Sequence, residues 1–328
     1  MWPIIGHQWA VELLAHSIQT RRLSHAYLLV GPNQVGKRTL GRTLAQAILC
    51  TEQQAPCGAC RSCQLILRGR HPDVQTISAD SERIKIDAIR EMQHLVALSP
   101  VEGPYRIFLI PRFGRATTSA ANALLKTLEE PPSTVILILT ATSVDALLPT
   151  IVSRCQVVPL RLLPTAQIRA ALEERGTAPD KARLLSHLAQ GRVGWALAAA
   201  EDESKLERRN EIMDSMVALA QGSYTARFSW AERLSRKPDR VDGVLETMAS
   251  WWRDILLLSA QSTIPITNLD RHNELSEWAS HYPVDAAKRA LQAIQETRHK
   301  LEHNANLRLA LEVLALDLPN TSQEWNQL

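Results

Sequence analysis

The chain has 328 residues, 45% of them hydrophobic and 22% charged, an ordinary composition for a globular protein and enough length for two or three domains. Its net charge of +3 permits contact with phosphates but is far from the dense basic patterning of a protein that holds DNA unaided. No run reaches the ~18 consecutive apolar residues of a membrane helix, and the opening MWPIIGHQWAVELL has neither a basic leader nor a small-residue cleavage site, so the expected location is the cytoplasm, with no membrane partner.

Residues 4–22 predict an amphipathic helix with Val11, Leu14, Ala15 and Ile18 on one face. The short apolar strand expected at 25–30 runs directly into Gly31-Pro-Asn-Gln-Val-Gly-Lys-Arg-Thr39, and a helix is expected over 39–49. Strand, glycine-bounded loop and helix form the context of a phosphate-binding loop. Gly31 and Gly36 let the backbone turn its amides inward, the helix N-terminus favours an anion, and Lys37 is placed to reach outer phosphates. The pattern departs from the usual one at Arg38, which stands where Ser or Thr would hold magnesium, with Thr39 one place late. Two readings stay open here: a working nucleotide site, and a loop of the right shape that binds nucleotide weakly or not at all.

Four of the five cysteines, Cys50, Cys57, Cys60 and Cys63, lie within fourteen residues in the spacing C-x6-C-x2-C-x2-C. In a reducing compartment a tight group reads as metal before disulfide. Four thiolates with no open position describe a closed, structural zinc site. An iron–sulfur centre is the rival, because C-x2-C-x2-C also serves such clusters, and a disulfide pair is the third option. Gly58 and the polar insert 51–56 suit an exposed flap held by metal.

Strands are expected at 73–77 and 106–110, with a helix at 86–98 carrying Ile86, Ile89, Gln93 and Val96 at helical spacing. In nucleotide hydrolases of this layout the second of these strands ends in an acidic pair that positions magnesium and water; here Pro111 and Arg112 follow it. Residues 119–155 then read as helix, double proline, apolar strand, a helix-like segment and Ser153-Arg154-Cys155. Ala120, Ala123, Leu124 and Leu128 mark the helix, and Pro131-Pro132 stops it. The β-branched run 134–140 fits a strand buried on both faces of a parallel sheet. On chemistry alone, Arg154 reads as a partner in a surface salt bridge.

From Thr165 the pattern is helical. Segments 166–174, 181–190 and 195–201 form a small unit of about forty residues, and 206–221, 230–234, 241–259, 285–304 and 307–318 follow, with fraying expected after Pro319. Trp251, Trp252 and Trp278 read as core or interface anchors rather than base-stacking platforms. His187, His272, His281, His299 and His303 show no metal-ligand spacing.

With these pieces in place, the chain resembles the delta-prime subunits of bacterial DNA polymerase III clamp loaders, within the AAA+ family that also contains the gamma/tau motor subunits. The carriers are SHAYLLVGP, the four cysteines just after the loop helix, AANALLKTLEEPP, Ser153-Arg154-Cys155 and LEHNANLRLALEVL. The resemblance implies an α/β fold followed by all-α: an AAA+ P-loop parallel-sheet domain with a four-cysteine zinc module over 1–161, a helical lid over 162–203 and a helical collar over 204–328. It implies that Arg154 is an arginine finger for the ATP site of an adjacent subunit, and that Cys50, Cys57, Cys60 and Cys63 hold one zinc. The degenerate loop residues Gly31, Gly36, Lys37, Arg38 and Thr39 would do little with ATP. Motor subunits carry an arginine in the lid where this chain aligns Gly194. The implied partners are gamma/tau and delta subunits in a five-subunit ring, the sliding clamp and primer–template DNA, with no ATPase or polymerase activity in this chain itself. The alternatives are an ATP-hydrolysing motor subunit with a divergent loop, in which Thr39 replaces the missing magnesium ligand, and a zinc-dependent nucleic-acid-binding module.

Overall fold

The computed structural model of the protein describes residues 2–77, 83–302 and 305–320; the expectations for 321–328 and for His303 lie outside them. The chain divides into two compact units, Met1–Glu174 with Gly191–Trp195, and Arg175–Gln190 with Ala196–Leu328.

The first unit is a parallel α/β sheet. Its elements in order are α1 (Gln8–Gln19), β1 (Ala26–Val30), α2 (Lys37–Leu49), α3 (Arg61–Leu67), β2 (Val74–Thr76), α4 (Ile86–Val96), β3 (Arg106–Ile110), α5 (Thr118–Glu129), β4 (Val135–Ala141), α6 (Pro149–Val152), β5 (Gln156–Pro159) and α7 (Thr165–Glu173). The five strands run parallel in the order β2-β3-β4-β1-β5. Every residue of β1 and β4 is buried, as the two apolar runs require of central strands covered on both faces. Side chains alternate across the pleat. Leu29 and Ile138 pack with Leu14, Leu40 and Leu44 of α1 and α2, whereas Leu28 and Leu137 pack with Ile89, Leu124 and Leu128 of α4 and α5.

Most elements fall within two or three residues of expectation. The differences have local causes. Helix α1 is shorter than 4–22 and buries Ala10, Leu14 and Ser17, leaving Val11, Ala15 and Ile18 on its half-buried flank. Helix α3 begins inside the cysteine cluster, where no element was expected, and buries Cys63 and Ile66; residues 51–54 of the insert before it are exposed, as a flap requires. Strand β5 starts directly after Cys155 and pairs with β1 from Tyr27↔Gln156 to Val30↔Pro159, the proline sitting at its end.

The helices after α7 are α8 (Pro179–Leu188), α9 (Val193–Glu201), α10 (Ser204–Gln221), α11 (Tyr224–Ser235), α12 (Pro238–Ser259), α13 (His272–His281), α14 (Val284–Glu302) and α15 (Leu307–Asp317). Helices α10 to α15 enclose the second unit's core of Met213, Leu245, Trp251, Ile255, Ile294 and Leu314. Trp251, Trp252 and Trp278 are core residues, as expected. Trp251 and Trp278 meet edge-on at 5.5 Å, and Trp252 meets Tyr282 at 5.3 Å. Helix α11 is longer than 230–234, and it carries a buried cation: the Arg227 guanidinium donates to the carbonyls of Leu219 (3.1 Å), Ala315 (2.7 Å), Leu318 (2.8 Å) and Pro319 (3.1 Å). These carbonyls lie in the last turn of α10, where Leu219 also accepts the Gly222 amide at 3.4 Å, and at and just after the end of α15, where helix carbonyls need further donors. Among the described residues, no helix is long and apolar enough to cross a membrane.

Candidate functional site

Three places in the first unit bear on function, and each follows from local chain geometry. The cysteine cluster is built by two helix ends. Cys50 caps the C-terminus of α2, Cys60 is the N-cap of α3, and Cys63 lies in the first turn of α3. The four Sγ atoms lie within 4.8 Å of one another, and none is in a disulfide. Tetrahedral Zn–S bonds of ~2.3 Å correspond to sulfur–sulfur edges of about 3.8 Å, close to the 4.0 Å between the Cys50 and Cys60 sulfurs. The amides of Ala59 (3.4 Å) and Cys60 (3.2 Å) point at Cys57 Sγ, and the Cys63 amide points at Cys60 Sγ (3.5 Å). Such donors favour thiolate over thiol. Burial works against ionisation of Cys60, but backbone hydrogen bonds from Cys63 and Thr51, with the neighbouring Cys63 and Cys57 side chains, hold it down to about 6, whereas burial pushes Cys63 up to about 12. The donor set therefore fits a metal such as zinc. Gln46 of α2 ties the cluster to the sheet domain by donating to the Cys63 carbonyl at 2.9 Å.

The phosphate loop joins β1 to α2 at the carboxyl edge of the sheet. Gly31 has a positive φ of 155°, and a Cβ there would run into the Leu160 carbonyl after β5. The loop's carbonyls are taken by this chain's own donors. Lys37 Nζ donates to the Gly31 and Pro32 carbonyls, the latter at 2.6 Å. The Gly194 amide donates to Gln34 at 2.8 Å, and His7 Nε2 donates to Val35 at 3.0 Å. Lys37 is buried by this arrangement, which lowers its pKa to about 8. Burial also lowers the pKa of His7 against the raising effect of its bond to Val35. Arg38 and Thr39 are exposed and line an open groove with Arg42, Thr76 and Thr140. Pro111 and Arg112 follow β3; Arg112 adopts φ 56° and donates its amide to Thr140 Oγ1 at 2.9 Å.

The arginine corner follows β4. The single turn of α6 is anchored by fully buried Ile151 and ends in Ser153, Arg154 and Cys155. Cys155 points inward, where burial raises its thiol to about 12. Arg154 points outward. Its Nη1 donates to the Thr150 carbonyl at 2.9 Å, and its Nη2 pairs with Glu129 Oε1 at 3.0 Å. The salt-bridge reading of this arginine is thus met, with a partner from the last residue of α5.

Sequence reasoning placed the loop, the cysteines and Arg154, but missed His7 and Glu129. His7 falls among apolar residues with no motif around it. Glu129 lies within LEEPP, where proline explained the local pattern and left the carboxylates unassigned.

The five-stranded parallel order, the loop between β1 and α2 and the helical continuation define an AAA+ type P-loop fold. The model described as "DNA polymerase III, delta subunit" matches residues 6–164, and "DNA polymerase III, delta subunit, C terminal" matches 203–319. The chain belongs to this DNA polymerase III delta-subunit family. The DNA polymerase III subunit delta' of Bacillus subtilis is 29% identical over 94% of each chain. The tau/gamma subunit of Haemophilus influenzae is 29% identical over 95% of this chain, which spans 48% of that relative's length. Among solved structures, a gamma subunit-related protein of Thermotoga maritima covers 94% of this chain and 98% of its own at 22% identity and a TM-score of 0.46. The Bacillus subtilis DNA clamp loader delta protein covers 93% and 98% at 11% identity and a TM-score of 0.38.

Proposed function

We propose that this chain is a delta-prime-type subunit of a bacterial replicative clamp loader. It joins gamma/tau motor subunits and delta in a five-subunit ring that places the sliding clamp on primed DNA, and it supplies Arg154 to a neighbour's ATP site without hydrolysing ATP itself. One observation carries the division of labour: Arg38 and Pro111-Arg112 fill the places of the magnesium-holding residues, while Arg154 sits half-buried at the surface on a turn anchored by buried Ile151. Neither Arg38 nor Pro111 and Arg112 offers magnesium the hydroxyl or carboxylate that phosphoryl transfer needs. Gly194, where the resemblance implies that motor subunits carry an arginine, leaves no side chain to reach phosphate. By the same reading the four thiolates hold a structural zinc, 162–203 is the lid and 204–328 the collar.

An arginine finger acts by stabilising charge on the transferring phosphoryl group and is worth roughly 10³–10⁵ in kcat at the site it serves. Because it acts across an interface, hydrolysis waits on correct closure of the ring. The test is ATP turnover by the assembled loader with Arg154→Ala. Assembly should be intact and turnover at the served site nearly lost; undiminished turnover refutes the finger. The match to tau/gamma keeps a second reading, a motor subunit, which requires tight magnesium-dependent ATP binding and turnover by the isolated chain.

A further inference from the structure

The guanidinium proposed to serve a neighbour is already engaged at home. Glu129 Oε1 lies 3.0 Å from Arg154 Nη2, and the Thr150 carbonyl takes Nη1 from the other side. Both Arg154 partners are set by rigid elements: Glu129 ends α5 just before Pro131-Pro132, and Thr150 belongs to the turn anchored by buried Ile151. We propose that Glu129 is a positioning residue that parks the Arg154 side chain while the facing nucleotide site is empty or misaligned, and yields it to phosphate when the interface closes. This rests on the finger reading above.

The argument is electrostatic. A carboxylate and a phosphate oxygen both seek the same Nη2 donor, and a γ-phosphate brought to Arg154 would face the Glu129 charge at close range. The two anions repel, so engagement of phosphate requires the ion pair to open. The pair is suited to opening. The Arg154 side chain is 36% exposed and that of Glu129 51%, so water screens the bond. A phosphate carries more charge and more acceptor oxygens than the carboxylate, and a desolvated interface strengthens its hold. The resting contact is therefore weak enough to lose to a well-placed phosphate and strong enough to compete with a badly placed one.

The test uses the complete loader, assembled with wild-type chain, Glu129→Gln, Arg154→Ala or the double variant, and measures ATP turnover without DNA or clamp. Glutamine keeps the size of the side chain and removes its charge. Opening an exposed pair worth about 0.5–1 kcal/mol corresponds to a two- to five-fold rise in turnover for Glu129→Gln. The rise should vanish in the double variant, which should match Arg154→Ala alone; loss of a merely structural contact would not raise turnover through Arg154. Turnover of Glu129→Gln at or below wild type, with Arg154→Ala still defective, overturns the parking role and leaves the finger standing. An undiminished Arg154→Ala loader overturns both.

Discussion

The amide of Gly194 donates to the carbonyl of Gln34 at 2.8 Å, joining the start of α9 to the middle of the phosphate loop. A Cβ at position 194 would sit 2.8 Å from that same carbonyl oxygen, closer than a real Cβ approaches backbone. The contact thus excludes any side chain there, arginine included. Glycine within a helix normally costs ~0.5–1 kcal/mol relative to alanine, so a helix-propensity argument alone predicts that Gly194→Ala stabilises. The close approach predicts the opposite, a net loss of about 1–2 kcal/mol from displaced backbone. Thermal unfolding should show a lower midpoint for Gly194→Ala; a higher one would mean that the contact is slack.

Lys37 offers a pH test. Its folded pKa is lowered to about 8 by burial, below the ordinary lysine value of 10.5. Between these values the unfolded chain binds a proton that the folded chain releases, so this residue's contribution to stability increases as pH rises from about 8 to 10.5 and is lost as pH falls through 8. Urea midpoints at pH 8, 9 and 10 should rise more for wild type than for Lys37→Met. Parallel curves would show that Lys37 keeps its proton. The same variant should leave clamp loading nearly unchanged, because a loop without its magnesium-holding neighbours does not turn ATP over.

Zinc content gives a third check. Purified protein should carry about one zinc per chain, and a strong chelator should release the cluster and expose residues 51–60 to proteolysis. Cys63→Ser should lose the metal and loosen α3, whose first turn that cysteine occupies. Iron in place of zinc would favour the iron–sulfur alternative, and an absence of bound metal would remove the module from the account. Metal affinity should fall as pH drops, since protons compete for the four sulfurs.

Arg227 is 2% exposed and donates to four carbonyls, with no carboxylate among these partners. Arg227→Leu keeps much of the apolar bulk but removes the guanidinium donors from the carbonyls of Leu219, Ala315, Leu318 and Pro319. A loss of about 3 kcal/mol or more is expected in the second unit. Circular dichroism melts of the two proteins would measure it, and a shift within a few tenths of a kcal/mol would mean that water replaces the guanidinium.

How far the chain could be read in advance depended on the range of the signal. β1, β3 and β4 were legible because apolar runs of five to seven residues bounded by turn residues have few other uses. β5 was not, since Val157 and Val158 form too short a run and Pro159 argues against a strand until the edge position is known. Helix α13 is mostly polar and buries only Leu275 and Trp278, so its period was faint. At the candidate site, motif spacing located the cysteines and Arg154. The residues that occupy or restrain those groups lie farther off: Glu129 is paired with Arg154 across β4, and His7 and Gly194 reach the loop from outside its motif. Such contacts come from tertiary packing, to which hydrophobic periodicity is blind.

The placement of the tryptophans has a practical consequence. Among the described residues, Trp230, Trp251, Trp252 and Trp278 are buried in the second unit, while Trp2, Trp9 and Trp195 of the first are half-buried or exposed. Intrinsic fluorescence from these seven residues therefore carries two signals of different colour, a blue-shifted one from the helical core and a redder one from the sheet unit. A protein wired in this way reports, without any label, which of its two halves loosens first.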